Sequence, residues 1–306
     1  MLSLLENCNF CPHNCNVNRV EGVKGFCNLD SSFNIASVTL HRGEEPAING
    51  ENGVCNVFFS HCNMQCVYCQ NIQISSNRSF IYNNLLSLEE VVGKIIRILK
   101  DNGTNRVGFV SPAHNVPQVI EIISALKKKR NDLIFIYNTN AYEKATTIQL
   151  VAKYIDVFLP DLKYFYDDLA RKYSKVNSYF DYASKAIKIM LELKGKKPVF
   201  DDKGYMLSGV IIRHLILPGH IDNTEKILEY IVKAYGKEVF VSIMAQYYPY
   251  VKTSFNNLNR KLTEEEYNIV WDKILELGFE NGWFQELESA THYLPDFTKE
   301  NPFESD

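Results

Sequence analysis

Six short apolar runs, at residues 54–60, 106–111, 133–138, 155–160, 208–217 and 238–244, alternate with longer stretches whose apolar residues recur at helical spacing. Several of the runs are apolar almost without interruption, as strands covered on both faces must be. A strand, a helix and a second such strand have one common solution, the right-handed crossover between parallel neighbours. The helices carry their own start signals. Ser87-Leu88-Glu89-Glu90 is a capping box ahead of Val91, Val92, Ile95, Ile96 and Leu99, and Thr263-Glu264-Glu265-Glu266 repeats the device ahead of Tyr267, Val270, Trp271 and Ile274. Further helices are expected at 117–128, 146–154, 181–193 and 223–235, and the stretch 194–205 reads as a long loop.

The pattern predicts an α/β fold, a partial (β/α)6 TIM-like barrel with a C-terminal extension over residues 35–306. Six strands instead of eight leave one side of the barrel open. Residues 1–34 form a separate cysteine-rich segment with little apolar periodicity, which needs a metal staple to fold. A chain of 306 residues with 46% hydrophobic content can bury a core of that size, and its formal charge of -3 offers no general attraction to phosphate backbones or anionic membranes. Neither nucleic acid nor a membrane is therefore expected as a partner. The first residues lack the basic flank and apolar run of a signal peptide, and no later run reaches membrane-spanning length, so the expected location is cytoplasmic.

In that compartment thiols stay reduced, and eight cysteines in clusters point to metal ligation. Cys62, Cys66 and Cys69 stand in C-x3-C-x2-C spacing directly after the first strand candidate. Three thiolates on one short loop can hold a four-iron, four-sulfide (4Fe-4S) cluster and leave one iron free for a substrate, as a catalytic metal requires. A zinc knuckle or a set of redox thiols is the alternative. Cys8, Cys11, Cys15 and Cys27 supply four more thiolates, enough for a zinc site or a second iron–sulfur cluster, with spacing that does not choose between them. Cys55, inside the first strand, reads as a small buried hydrophobe.

The C-x3-C-x2-C motif, with Tyr68 just before its third cysteine, resembles the signature of the radical S-adenosylmethionine (SAM) superfamily. Val110-Ser111-Pro112-Ala113-His114, Tyr137-Asn138-Thr139-Asn140, Leu159-Pro160-Asp161-Leu162-Lys163-Tyr164, Arg213-His214-Leu215-Ile216-Leu217-Pro218-Gly219 and Ser242-Ile243-Met244-Ala245-Gln246-Tyr247 extend it over nearly the whole chain. Together they are similar to the pyruvate formate-lyase activating enzyme homologues, in the branch with an N-terminal four-cysteine cluster. The resemblance implies that Cys62, Cys66 and Cys69 carry the SAM-cleaving cluster. It further implies that Tyr68 packs beside adenine, that Asn138, Thr139 and Asn140 lie along SAM, and that Asp161 and Lys163 meet its amine and carboxylate. Arg213 would orient SAM and Gln246 would approach the ribose or adenine. His114 stands where the activases carry Gly-Gly-Glu, and is kept as a cofactor-binding candidate.

The implied activity is an oxidoreductase reaction of the glycyl radical enzyme activase type. SAM is cleaved reductively to a 5'-deoxyadenosyl radical, which takes hydrogen from a protein or peptide, with an electron donor such as flavodoxin or ferredoxin. The departure at residues 111–114 motivates a second reading, modification of a small molecule or of a peptide unrelated to glycyl radical enzymes. A third, of another class, is an iron–sulfur or zinc scaffold that carries electrons. Independently of any family, the polar residues just named cluster at the carboxyl ends of strand candidates, where barrel enzymes place their sites. His214, adjacent to Arg213 and so on the opposite strand face, should point away from the interior.

Overall fold

The computed structural model of the chain describes residues 1–78, 85–288 and 294–303. Ten strands form one sheet: β1 Phe33–His41, β2 Val54–Phe59, β3 Leu85–Leu86, β4 Arg106–Val110, β5 Ile134–Thr139, β6 Val157–Pro160, β7 Val199–Phe200, β8 Met206–Leu215, β9 Phe240–Met244 and β10 Asn281–Phe284. The order is β10-β9-β8-β6-β5-β4-β2-β1-β3, with β7 hydrogen-bonded to β8 off this path. All six expected strands are present and run parallel to one another, in the order β2-β4-β5-β6-β8-β9. The fold is thus the anticipated α/β partial barrel.

Four strands were not expected. β10 adds a further parallel strand beside β9, and β1 pairs antiparallel with β2 at the opposite edge and also carries β3. The stretch at 194–205 is not a plain loop, because β7 within it pairs with Ser208 and Met206 of β8. These elements are short or mixed in burial, whereas an uninterrupted apolar run marks only strands buried on both faces. Among the described residues the sheet path ends at β10 on one side and β3 on the other without closing, so the barrel keeps an open seam.

The helices are α1 Pro46–Asn49, α2 Ile72–Ser75, α3 Leu88–Asn102, α4 Val116–Lys127, α5 Ala145–Val151, α6 Asp167–Ser174, α7 Tyr179–Lys194, α8 Ile221–Tyr235 and α9 Glu264–Leu277. Both capping boxes form. Ser87 and Thr263 accept from the backbone N–H groups of Glu90 and Glu266, whose carboxylates accept in return. None of the helices among the described residues is long and apolar enough to cross a membrane.

Strand alternation divides the side chains into two sets. Cys55, Val57, Phe59, Val107, Phe109, Phe135, Tyr137, Ile212 and Ile243 are buried outward in the main core with the helices. Val54, Ile136, Leu159 and Ile211 point the other way and pack with Ala47 and Ile48 of α1, which plug the barrel floor. Above that plug the inward positions turn polar: Asn56, Asn138, Asp161 and Arg213 each stand two residues along from a floor residue. Gly108 makes this possible, because a Cβ there would lie 2.0 Å from Asn56 Oδ1. Cys55 is fully buried, as expected of a structural thiol. His214 is equally buried on the outward face and bridges the Leu162 carbonyl and the Thr224 hydroxyl at 2.6 and 2.9 Å, also as expected.

Candidate active site at the barrel mouth

The loop after β2 opens with His61 in a left-handed turn, φ +63°, which swings the following cysteines over the carboxyl ends of the strands. Two backbone bonds then pin it to the end of α6: Gln65 donates to the Ser174 carbonyl and Val67 to the Tyr173 carbonyl, at 3.1 and 2.8 Å. Cys62 is buried and Cys66 and Cys69 are half-buried. Every sulfur has a donor aimed at it. Cys62 Sγ accepts from the Met64 N–H at 3.4 Å and from Asn140 Nδ2 at 3.5 Å; Cys66 Sγ accepts from Ser174 Oγ at 2.9 Å; Cys69 Sγ accepts from Ser75 Oγ at 3.2 Å.

The Cys66 donor heads a longer chain. Tyr68 and Tyr164 hydroxyls are 2.5 Å apart, and Tyr164 and Ser174 hydroxyls 2.6 Å. Burial pushes all three thiols up, Cys66 to about 11, while the Lys163 ammonium pulls each of them down. Left alone such thiols stay protonated at neutral pH, so their thiolates require a cation or a metal.

The thiols face a cavity of about 220 Å3 that also receives Tyr68, Asn138, Asn140, Asp161, Lys163, Arg213 and Gln246. Lys163 Nζ and Asp161 Oδ2 form an ion pair at 2.6 Å. Burial lowers the Lys163 ammonium, but Asp161 and the neighbouring Cys66 override it and leave Lys163 above its ordinary value. A second cavity, of about 390 Å3, shares Asn138, Arg213 and Gln246 with the first. It lies at the seam, between Glu44 and Glu45 beyond β1 and Trp283, Phe284 and Gln285 at β10. Arg213 binds Glu45 through Nε at 2.8 Å and Glu44 through Nη2 at 2.5 Å. Burial would raise Glu44, yet Arg213, with His41 and Asn56, holds it down to about 2.

Two sequence-based candidates do not reach either cavity. Thr139 falls on the outward face of β5, where its hydroxyl donates to Glu143 Oε1 at 2.5 Å; period-two alternation brings Asn138 to the mouth and sends Thr139 behind it. His114 lies beyond Ser111, whose left-handed backbone at φ +51° turns the chain outward. Its Nε2 is 3.0 Å from the Ser60 carbonyl, and burial lowers it to about 3, so it is a neutral structural group. Conversely, Glu44, Glu45, Ser75 and Ser174 carry no motif of their own. Adjacent carboxylates before Pro46 were the one available hint.

At the N-terminus, Cys8, Cys11 and Cys15 are half-buried and Cys27 is buried. Gly25 is where it is because a Cβ would meet Cys15 Sγ at 2.8 Å, and Cys15 Sγ accepts from the Phe26 N–H at 3.3 Å. Burial pushes the Cys11 thiol up to about 12, and Cys27, Cys8 and Cys15 push in the same direction. Among the described residues no three Cys, His, Asp or Glu side chains already stand at the spacing of one bound ion.

Residues 56–231 match the model of the radical SAM superfamily, so the chain belongs to that superfamily. It is 33% identical over 286 residues to an uncharacterized protein of Methanocaldococcus jannaschii, covering 90% of this chain and 75% of that one. Among solved structures it is similar in fold to the FeFe-hydrogenase maturase HydG of Carboxydothermus hydrogenoformans, with TM-score 0.52, 16% identity, and coverage of 76% of this chain and 52% of that one. Methylornithine synthase (PylB), with TM-score 0.50 and 16% identity, is matched over 76% of this chain and 64% of its own. SuiB of Streptococcus suis, solved with SAM bound, matches at TM-score 0.50 and 18% identity over 76% and 50%. The chain spans about half the length of the HydG and SuiB chains.

Proposed function

We propose that the chain cleaves SAM reductively and uses the 5'-deoxyadenosyl radical to take a hydrogen atom from a protein or peptide, as the glycyl radical enzyme activases do. The observation that carries this reading is the convergence of three cysteine sulfurs, each with its own hydrogen-bond donor, on a cavity that also holds the Lys163–Asp161 pair. That donor set fits an iron–sulfur cluster. Thiolates are its ordinary ligands, and N–H and O–H donors at the sulfurs stabilise the charge that reduction adds. Cys62, Cys66 and Cys69 would hold a 4Fe-4S cluster, which would supply the electron for cleavage of SAM.

The chain's own residues bind and orient. Lys163 offers a point charge to a carboxylate, and Asp161 offers an acceptor to an amine. A zwitterionic amino-acid end can therefore take over both partners of an existing ion pair, which keeps the desolvation cost of binding low. Asn138 and Asn140 supply amide donors and acceptors along the same wall, and Asn140 also touches Cys62. Tyr68 and Gln246 suit the adenosine end, and Tyr247 and Met64 help exclude water. Arg213, held by Glu44 and Glu45, orients from the floor side.

The protein or peptide reading draws on the seam. A cavity flanked by two unjoined sheet edges can receive a loop from the side, while SAM occupies the mouth. Glu44, Glu45 and Arg213 in that cavity favour a second reading, a small polar substrate. Flavodoxin or ferredoxin is the class of donor suited to the reduction.

The test is anaerobic. After reconstitution with iron and sulfide and reduction by dithionite, we expect an electron paramagnetic resonance signal that SAM alters, together with 5'-deoxyadenosine, both lost in Cys66→Ala. An intact cluster with no response to SAM and no deoxyadenosine overturns the proposal and favours an electron-carrying scaffold.

A further inference from the structure

Arg19 is fully buried, and the proposed reaction does not use it. Its Nε and Nη2 donate to the Asp30 carbonyl at 3.1 and 2.7 Å, Nη1 to the His114 carbonyl at 2.6 Å, and Nη2 to Asn115 Oδ1 at 3.2 Å. Those acceptors are all neutral. No ion pair among the described residues includes Arg19. A guanidinium cannot shed its proton to escape burial, and a buried charge without a counter-charge is strongly unfavourable. The groups near it able to become anions include thiols of the N-terminal quartet: Cys8 Sγ lies 3.9 Å from Nη1, and the Cys27 thiol, raised by burial, is pulled down by the Arg19 charge.

Cys8 belongs to the N-terminal quartet, whose segment is also fastened to the active-site loop. His61 Nδ1 donates to the Cys27 carbonyl at 2.8 Å, and His13 Nε2 donates to the Asn63 carbonyl at 2.7 Å, so the residues on either side of Cys62 are both held. Asn77 Nδ2 donates to the Phe26 carbonyl at 2.8 Å while Asn77 Oδ1 accepts from the Cys62 N–H at 3.1 Å. The His13 ring stacks on Phe26 with centroids 3.7 Å apart.

We propose that Cys8, Cys11, Cys15 and Cys27 bind one metal centre as four thiolates, that Arg19 neutralises part of its negative charge, and that this centre braces the loop carrying Cys62. Binding releases the thiol protons to solvent. Four thiolates around a divalent cation leave a net dianion, and a cluster ligated by four thiolates is likewise anionic; either meets the need of Arg19. The metal claim stands apart from the SAM reading, and only the bracing step rests on it.

The test measures metal in anaerobically purified full-length chain with Cys62, Cys66 and Cys69 all changed to Ala, so that only the N-terminal site can hold any. Retained zinc, or retained iron with sulfide, supports the proposal and tells the two centres apart; no retained metal, including after reconstitution with each, overturns it. Cys15→Ser in the same background should release it.

Arg19→Met tests the counter-charge through the rate of metal loss. Beside an anionic centre, removing the cation should speed metal loss to a chelator by roughly tenfold or more. An unchanged rate of metal loss overturns the role given to Arg19; stability alone does not discriminate, because Met leaves the Asp30 and His114 carbonyls and Asn115 Oδ1 without their donor in either case. If Arg19→Met does not fold, Arg19→Lys against Arg19→Gln gives the same contrast: retention follows the charge if the proposal holds, and is equal in both if it does not. For the brace, His61→Asn tolerates the left-handed turn but cannot reach Cys27. It should lower iron retention at Cys62, Cys66 and Cys69 while the N-terminal metal stays; equal retention at both sites removes the bracing role.

Discussion

The two cysteine groups lie side by side and differ in what holds them. Cys62, Cys66 and Cys69 sit on a loop anchored to β2 and α6, and their sulfurs take donors from α2, α6 and the turn after β5. The N-terminal four have little beneath them: Leu5, Phe10 and Leu29 are buried, but Val20, Val23 and Phe26 are exposed. In the first case the fold positions the cysteines; in the second, on the proposal above, a bound metal and Arg19 organise the fold. Identical side chains can therefore differ in what their loss costs, one costing chemistry and the other structure.

The largest effect should come from Cys66→Ala, which we expect to abolish deoxyadenosine formation while leaving the thermal midpoint close to that of the parent protein. A fall in the midpoint as deep as that of Cys15→Ser would erase the contrast. Lys163→Met comes next. It removes the charge opposite Asp161 and should cut the rate of SAM cleavage by roughly 100-fold or more, with circular dichroism unchanged; an unaltered rate would place SAM elsewhere. Ser174→Ala strips the hydroxyl from Cys66 Sγ and should lower activity roughly ten- to hundredfold and make the cluster potential more negative, measured by redox titration.

The smallest effect concerns the far side of β5. Burial raises Glu143 to about 7, despite hydrogen bonds from Thr139 and Tyr137. An acid whose folded pKa is raised binds its proton more tightly folded than unfolded, so its contribution is intact at low pH and is lost as pH rises through the window from about 4.5 to 7. The full loss is up to about 3 kcal/mol. Glu143→Gln should flatten that part of the stability profile in denaturant titrations, with SAM cleavage retained. A slope unchanged by the substitution would assign it to other groups.

The main sheet was legible because parallel strands under helices must be apolar on both faces and their helices announce their starts at Ser87 and Thr263. β1 and β10 were not, since the burial of β1 is mixed and not continuous, and four residues containing Gly282 carry no pattern. In the site, the cysteine spacing and the strand-end positions of Asn138, Asp161, Lys163 and Arg213 led to the mouth. Thr139 was misplaced although the alternation that sends it outward was available. His114 was misplaced by a left-handed turn at Ser111 that no glycine or asparagine announces. Ser75 and Ser174 were invisible because a serine donor is defined by what it faces.

The hydroxyl chain leading to Cys66 has a fixed polarity. Ser174 spends its hydrogen on the sulfur, so it must accept from Tyr164, which in turn must accept from Tyr68. Each link is polarised by the next, and added negative charge at the sulfur strengthens every one of them. The Tyr68 phenol, three hydrogen bonds away, thereby becomes a reporter of electron arrival: its O–H vibration should shift to lower frequency as charge accumulates at Cys66.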